Sequence, residues 1–187
     1  MQPSGVTGRR VVGGVSRGVP YADPERLGCI GARYGGLMTM LLTTRTDMFG
    51  AAVSHSGISS ISSCRGEGNL GFASSAEATA KSYPWNRLDI YIDESPLFAA
   101  DKAVTPLLLL LLLLHGAVDH NVPPGEREQM YTALRVLGKE VEYIRIDDEL
   151  HWLLQYDRHW SESIVAWFDE HLKDDAAWWR RLWPEDE

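Results

Sequence analysis

The stretch LGCIGARYGGLMTMLLTTR, residues 27–45, decides the fold of this chain. Its first part, residues 27–32, is a short apolar run ending in glycine and small residues, which predicts a buried strand. Its second part, residues 35–45, carries apolar residues on most faces of a predicted helix. A strand that turns directly into a helix is one unit of an α/β fold.

The rest of the chain repeats this alternation. Residues 51–54, 107–114 and 141–146 predict three further strands, and the second of them, eight leucines in a row, has the continuous apolar character of a buried parallel strand. Apolar residues at helical spacing predict helices over 126–137 and 161–173, the second with Ser161 as its N-cap. We interpret 57–63 as a loop and 64–103 as irregular. The order predicts a mostly parallel sheet of about four strands flanked by helices.

Composition narrows the range of functions. The 187 residues carry a net charge of −8, which argues against nucleic acid as a partner, because phosphate binding favours a basic surface. The longest apolar run, residues 107–114, is too short to span a bilayer. The glycine-rich residues 1–20 form no signal peptide, and we expect them to be a flexible lead-in. These features predict a soluble protein without a membrane partner, cytoplasmic by default.

Cys29 and Cys64 form neither a disulfide framework nor a metal-binding pattern. We expect a buried apolar role for Cys29, and the sequence gives no reason to expect a cofactor or a metal ion.

Three loops that follow predicted strands carry reactive residue types. The first is the turn GARYGG, residues 31–36; the others contain Asp119 and His151. In a parallel α/β sheet such loops meet at the carboxyl edge. A strand-to-helix turn of the form G-x-S-x-G holds a nucleophilic serine, and an acid and then a histidine follow it in chain order. Here Arg33 occupies the serine position.

Long flanking stretches strengthen this comparison: YADPERLGCIGARYGG (21–36), MTMLLTTRTDMFGAAVSHSGIS (38–59), LLLHGAVDHNVPPGEREQMYTAL (112–134) and AWFDEHLKD (166–174). In these stretches the chain resembles the peptidase domain of the prolyl oligopeptidase family, which includes dipeptidyl and acylaminoacyl peptidases. The resemblance implies that residues 21–187 are the C-terminal part of a serine-peptidase domain of the α/β-hydrolase fold. It also implies that Asp119 orients an imidazole, His151 is the general base, and the Tyr34 backbone N–H contributes to the oxyanion hole.

The departures from the family pattern predict an inactive chain. A guanidinium cannot attack a carbonyl, so Arg33 removes the nucleophile of the acyl-enzyme mechanism. Few residues precede the first strand, which predicts a truncated sheet with an exposed edge and self-association through it. The alternatives are a pseudoenzyme that binds peptides or a partner chain, and a degenerate or engineered fragment without activity.

Other reactive side chains have weaker claims, and a structural role is favoured for each group. The candidates for a substitute nucleophile are Ser54, Ser56, Ser59 and Cys64, those for a metal site are His55, His115 and His120, and those for a substrate pocket are Tyr83 and Trp85. Arg65 and Glu67 lie in a loop that relatives use near the substrate, and a solvated loop is an equal alternative.

Overall fold

Four parallel strands form the sheet in the computed structural model, which describes residues 22–67, 82–112, 122–146 and 153–184. They are β1 (Gly28–Ala32), β2 (Ala51–His55), β3 (Leu107–Leu112) and β4 (Val141–Ile146), in the spatial order β1-β2-β3-β4. The pairing of β3 with β4 runs without a break from Leu107 to Leu112. The predicted parallel sheet is confirmed, and the predicted lead-in, residues 1–20, lies outside the described residues.

The helices lie on both faces of this sheet. In chain order they are α1 (Tyr34–Arg45), α2 (Ile61–Glu67), α3 (Leu88–Asp93), a 3₁₀ segment (Pro96–Lys102), α4 (Gly125–Val136), α5 (Leu153–Lys173) and α6 (Ala177–Leu182). α1, α4 and the 3₁₀ segment share one apolar core with the sheet, and α5 and α6 share the other.

Alternate side chains of each strand serve the two cores, as a pleated sheet requires. Ala52 and Leu107 are register partners and pack towards α1 and α4, whereas Val53 and Leu108, the next partners along, pack towards α5. A parallel sheet covered on both faces explains why β3 is a run of leucines, of which Leu107 to Leu109 are fully buried.

α1 is buried on most of its surface, because it packs against β1, β2 and the 3₁₀ segment. Two of the threonines that this burial takes out of water bond to their own helix: the Thr43 hydroxyl donates to the carbonyl of Met40 and the Thr44 hydroxyl to that of Leu41, at 2.7 and 2.8 Å. Intrahelical bonding of this kind lets polar residues occupy a buried helix.

Several predictions about individual segments are wrong. β1 is an edge strand and not a buried one: Ile30 is 53% exposed, because β2 is its only partner in the described part of the sheet. The segment predicted as a loop contains the start of α2, and the segment predicted as irregular contains α3 and the 3₁₀ turns. α5 begins at Leu153, so Ser161 lies inside the helix and is not its N-cap.

The C-terminal tryptophans Trp179 and Trp183 contact the body of the domain. The ring of Trp179 on α6 meets the ring of buried Trp167 at a centroid distance of 5.2 Å, and the Trp183 indole N–H donates to the Ser163 hydroxyl. No helix in the described part of the chain is both long and apolar enough to cross a membrane.

Candidate functional site

The turn between β1 and α1 places Arg33 at the carboxyl edge of the sheet. Arg33 adopts φ 56° and ψ −116°, a region that residues with a side chain rarely occupy. Its N–H donates to the carbonyl of His55 at 2.8 Å, which ties the turn to the end of β2. Its side chain is exposed. The structure therefore has the sharp strand-to-helix turn that a nucleophile requires, with a guanidinium on it.

Two glycines of this turn have different roles. A Cβ atom built on Gly31 would overlap the backbone carbonyl of Gly35 and lie 2.8 Å from the Thr39 hydroxyl, so only glycine fits at position 31. A Cβ atom on Gly35 would meet nothing within 4 Å in the described structure. Gly31 allows the close backbone approach, and Gly35 leaves a space above the first turn of α1 that no described residue fills.

The first turn of α1 rests on the loop that follows β2. A Cβ atom on Gly36 would lie 2.7 Å from the Cα atom of Gly57, and the Ser54 hydroxyl donates to the Gly36 carbonyl at 3.0 Å. Tyr34, the first residue of α1, is exposed. The N–H groups of a first helical turn have no acceptor inside their own helix, and that of Tyr34 belongs to this set.

A fully buried carboxylate holds the loop after β2 in place. Glu126, in the first turn of α4, accepts the backbone N–H groups of Ser59 and Ser60 through Oε2, at 3.0 and 2.8 Å. The Ser59 hydroxyl donates to the same oxygen and the Ser63 hydroxyl to Oε1, at 3.2 and 2.6 Å. This network, which we call the Glu126 brace, connects α4 to the loop on which the Arg33 turn rests. The sequence shows an ordinary first-turn glutamate and gives no signal of it.

The other two predicted triad residues follow β3 and β4 in the chain. Asp119 and His151 both lie outside the described residues. β3 and β4, the strands that precede them in the chain, end at the same edge as β1, because the sheet is parallel.

The alternative candidates are only partly placed. Ser54 and Ser59 are buried with their hydroxyls hydrogen-bonded, and His55 makes an edge-on contact with the Trp160 ring at 5.3 Å. His115 and His120 lie outside the described residues. Within the described ranges, no group of three His, Cys, Asp or Glu side chains could hold a metal ion. Trp85, for which packing was favoured, is 81% exposed.

The four-stranded parallel sheet, its helices and the glycine-lined turn define a domain of the α/β-hydrolase type. The chain matches the prolyl oligopeptidase family over residues 14–175, and it belongs to that family.

Individual relatives agree with this assignment. The chain is 34% identical over 158 residues to the uncharacterized peptidase YuxL of Bacillus subtilis. This match covers 82% of this chain and 23% of the relative. It is 27% identical to dipeptidyl-peptidase 5 of Porphyromonas endodontalis, over 82% of this chain and 22% of the relative. Among solved structures, the acylaminoacyl peptidase of Pyrococcus horikoshii superposes with a TM-score of 0.75 at 27% identity, covering 87% of this chain and 26% of that one. The chain thus spans about a quarter of the length of the relatives it matches.

Proposed function

We propose that this chain is part of a serine-peptidase domain that no longer hydrolyses peptide bonds, because Arg33 occupies the nucleophile position. The supporting observation is the backbone of Arg33, which keeps a tight turn at the carboxyl edge while carrying a guanidinium. A guanidinium has five N–H donors and no lone pair available for attack. In triad hydrolases, loss of the nucleophile alone lowers kcat by about 10⁶.

The other roles of the proposed ancestral site follow from the family. A serine at position 33 would attack the peptide carbonyl, and His151, oriented by Asp119, would take its proton and later give it to the leaving amine. The Tyr34 N–H, at the start of α1, would donate to the oxyanion of the tetrahedral intermediate.

Covalent labelling tests this proposal directly. We expect the wild-type chain to react neither with a fluorophosphonate probe nor with aminoacyl chromogenic substrates, because Arg33 forms no acyl-enzyme. Labelling of the wild-type chain would contradict the proposal, whether or not Arg33→Ala abolishes that labelling. Arg33→Ser is the matched gain-of-function variant: labelling of this variant alone would show that the rest of the site is intact.

The second candidate function is peptide binding without hydrolysis, and the surroundings of Arg33 favour it. Its side chain is exposed, α1 has no acidic residue in its first turn, and no carboxylate within the described ranges pairs with it. A peptide whose free carboxylate approaches this turn would gain a charge-assisted hydrogen bond. Calorimetry should show tighter binding of a short peptide than of its C-terminal amide, and Arg33→Ala should remove the difference. Equal affinity of the two peptides would argue against this candidate.

A further inference from the structure

The segment 82–87 displays one tryptophan to solvent on an unusually well-fixed turn. The Tyr83 carbonyl accepts the N–H groups of Asn86 and Arg87, at 3.0 and 2.9 Å. The Asn86 side-chain oxygen accepts the Tyr83 N–H in return, at 2.6 Å. Pro84 occupies the second position of this turn, where its fixed φ is favourable. Trp85 follows it and is 81% exposed.

The base of this turn is anchored to one half-buried and one buried side chain. The carbonyl of Ser82 accepts both the Arg65 guanidinium at 3.0 Å and the hydroxyl of fully buried Tyr91 at 2.9 Å. The Arg65 guanidinium carbon lies 4.7 Å from the centre of the Tyr83 ring and 5.4 Å from that of Tyr91. Contacts of this length between a cation and aromatic faces are favourable.

Trp85 completes the arrangement by stacking on Tyr83. Their ring centroids are 4.8 Å apart and the planes differ by 10°. The indole is therefore ordered before any ligand arrives, and association would not have to fix its rotamer. Tryptophan and tyrosine side chains are enriched among the residues that contribute most to binding energy at protein interfaces, because they offer a large rigid surface.

The charges around this turn indicate the kind of ligand. Arg87 is engaged in a bidentate pair with Asp89, at 2.9 and 2.7 Å, and the hydrogen bond from Arg87 lowers the pKa of that carboxyl. Arg65 is bonded to Ser82 and stacked on tyrosines. Arg87 is already paired with a carboxylate, the Nη2 atom of Arg65, which has no hydrogen-bond partner among the described residues, is buried, and the chain carries a net charge of −8, which disfavours a nucleotide. An uncharged ring fits this surface.

We propose that Trp85, held by Tyr83 and Arg65, is a docking site for an aromatic side chain of a peptide, which stacks on the indole as a further parallel ring. The site does not involve Arg33, so the proposal does not depend on whether the chain hydrolyses peptides. It differs from an isolated exposed apolar residue in that its geometry is fixed by hydrogen bonds from both ends of the turn.

Nuclear magnetic resonance on the full ¹⁵N-labelled chain tests the proposal. The indole N–H signal of Trp85 is assigned by its absence in Trp85→Phe. Titration with N-acetylphenylalaninamide should shift this signal saturably, with a dissociation constant on the order of 1 mM for one stacked ring. N-acetylleucinamide should bind about tenfold more weakly or not at all, because it cannot stack.

Two variants control the interpretation. Tyr83→Leu removes the supporting ring and should weaken binding by about fivefold, since the indole would lose its fixed orientation. Leu88→Ala alters an exposed apolar residue at the start of α3 and should leave the titration unchanged. The proposal fails if N-acetylphenylalaninamide leaves the Trp85 signal unmoved, or if the leucine probe binds equally well. It also fails if adenosine monophosphate binds more tightly than the phenylalanine probe, which would indicate a nucleobase site.

Discussion

Arg33 adopts a backbone conformation with φ 56° and ψ −116°, in which its Cβ atom is crowded by the adjacent peptide groups. A serine nucleophile has a functional reason to occupy such a region, whereas an arginine has none in hydrolysis. The packing of Gly31 against Gly35 and the hydrogen bond from Arg33 N–H to His55 hold the turn in this form. The conformation is therefore a property of the framework, and it is strained for any residue that carries a Cβ atom.

Arg33→Gly should stabilise the chain. Glycine adopts positive φ without strain, and after its extra backbone entropy is subtracted the net gain in unfolding free energy should be about 1 kcal/mol. Ala32→Gly, one residue earlier in β1, is the matched control and should destabilise by about 0.5–1 kcal/mol. Urea denaturation of both variants measures the difference. If the two variants lose stability equally, the turn is not strained.

Cys29 should react more slowly with thiol reagents than Cys64, the other cysteine of the chain. Burial raises the pKa of its thiol to about 11, because desolvation penalises the thiolate. At pH 8 the thiolate fraction should then be about a hundredfold lower than for an unperturbed thiol, which ionises near pH 9. Ellman's reagent should react with wild type in a slow phase that Cys29→Ala removes and Cys64→Ala leaves in place. The reverse assignment of phases would contradict the burial of Cys29.

The same pKa shift has a consequence for stability. Between about pH 9 and 11 the unfolded chain loses the Cys29 proton while the folded chain keeps it. The unfolded state therefore binds fewer protons, and the free energy of unfolding should decrease as the pH rises through this window. Cys29→Ala should lose this part of the alkaline dependence, as measured by urea denaturation at pH 8 and pH 10.5.

At the scale of the elements, the Glu126 brace is the contact that most affects the site. The Glu126 carboxylate accepts hydrogen bonds from four buried or half-buried donors. Glu126→Ala would therefore leave the N–H groups of Ser59 and Ser60 without their acceptor. We expect a loss of about 2–6 kcal/mol in unfolding free energy, because each of these two buried N–H groups costs about 1–3 kcal/mol without an acceptor. Glu128→Ala on the same helix removes only an exposed pair with Arg145 and should cost at most about 1 kcal/mol. Similar effects of the two variants, measured by urea denaturation, would contradict the brace.

The elements also show which sequence signals were reliable. The four strands could be predicted from short segments rich in apolar residues, of which β3 is an unbroken leucine run and β4 is interrupted by Glu142 and Arg145. α3 has only six residues and is too short to be stable alone, so its formation depends on the burial of Tyr91. No local sequence pattern indicates that burial. The start of α5 was missed because Ser161 suggested a cap. Serines are tolerated inside this helix, where the Ser163 hydroxyl donates to the carbonyl of His159.

At the scale of the whole molecule, the sheet leaves β1 at its edge in the described structure. The strand carries no charged residue or proline that would oppose edge pairing, and Ile30 is exposed on it. Sequence reasoning predicted the sheet but not which of its strands is exposed, because burial depends on neighbours and not on composition. It identified Arg33 and Tyr34 by motif, whereas the Glu126 brace arises from contacts between residues about 65 positions apart.

We predict that the chain self-associates through this edge. Sedimentation velocity over increasing protein concentration should show association of the wild-type chain, and Ile30→Lys should weaken it by placing a charge on the edge. Val136→Lys, an exposed apolar position on α4, serves as the control and should leave association unchanged. Equal effects of the two lysines would point to a general charge effect and not to the edge of β1.

The two glycines of the Arg33 turn should also differ in how they tolerate mutation. A sequence motif gives Gly31 and Gly35 equal weight, yet every side chain at position 31 would collide with backbone, whereas a Cβ atom at position 35 would meet none of the described residues. In a selection for folded protein alone, we expect position 31 to accept only glycine and position 35 to accept alanine and larger residues. If a selection for ligand binding then accepted only glycine at position 35, we would infer that the ligand occupies the space above the turn.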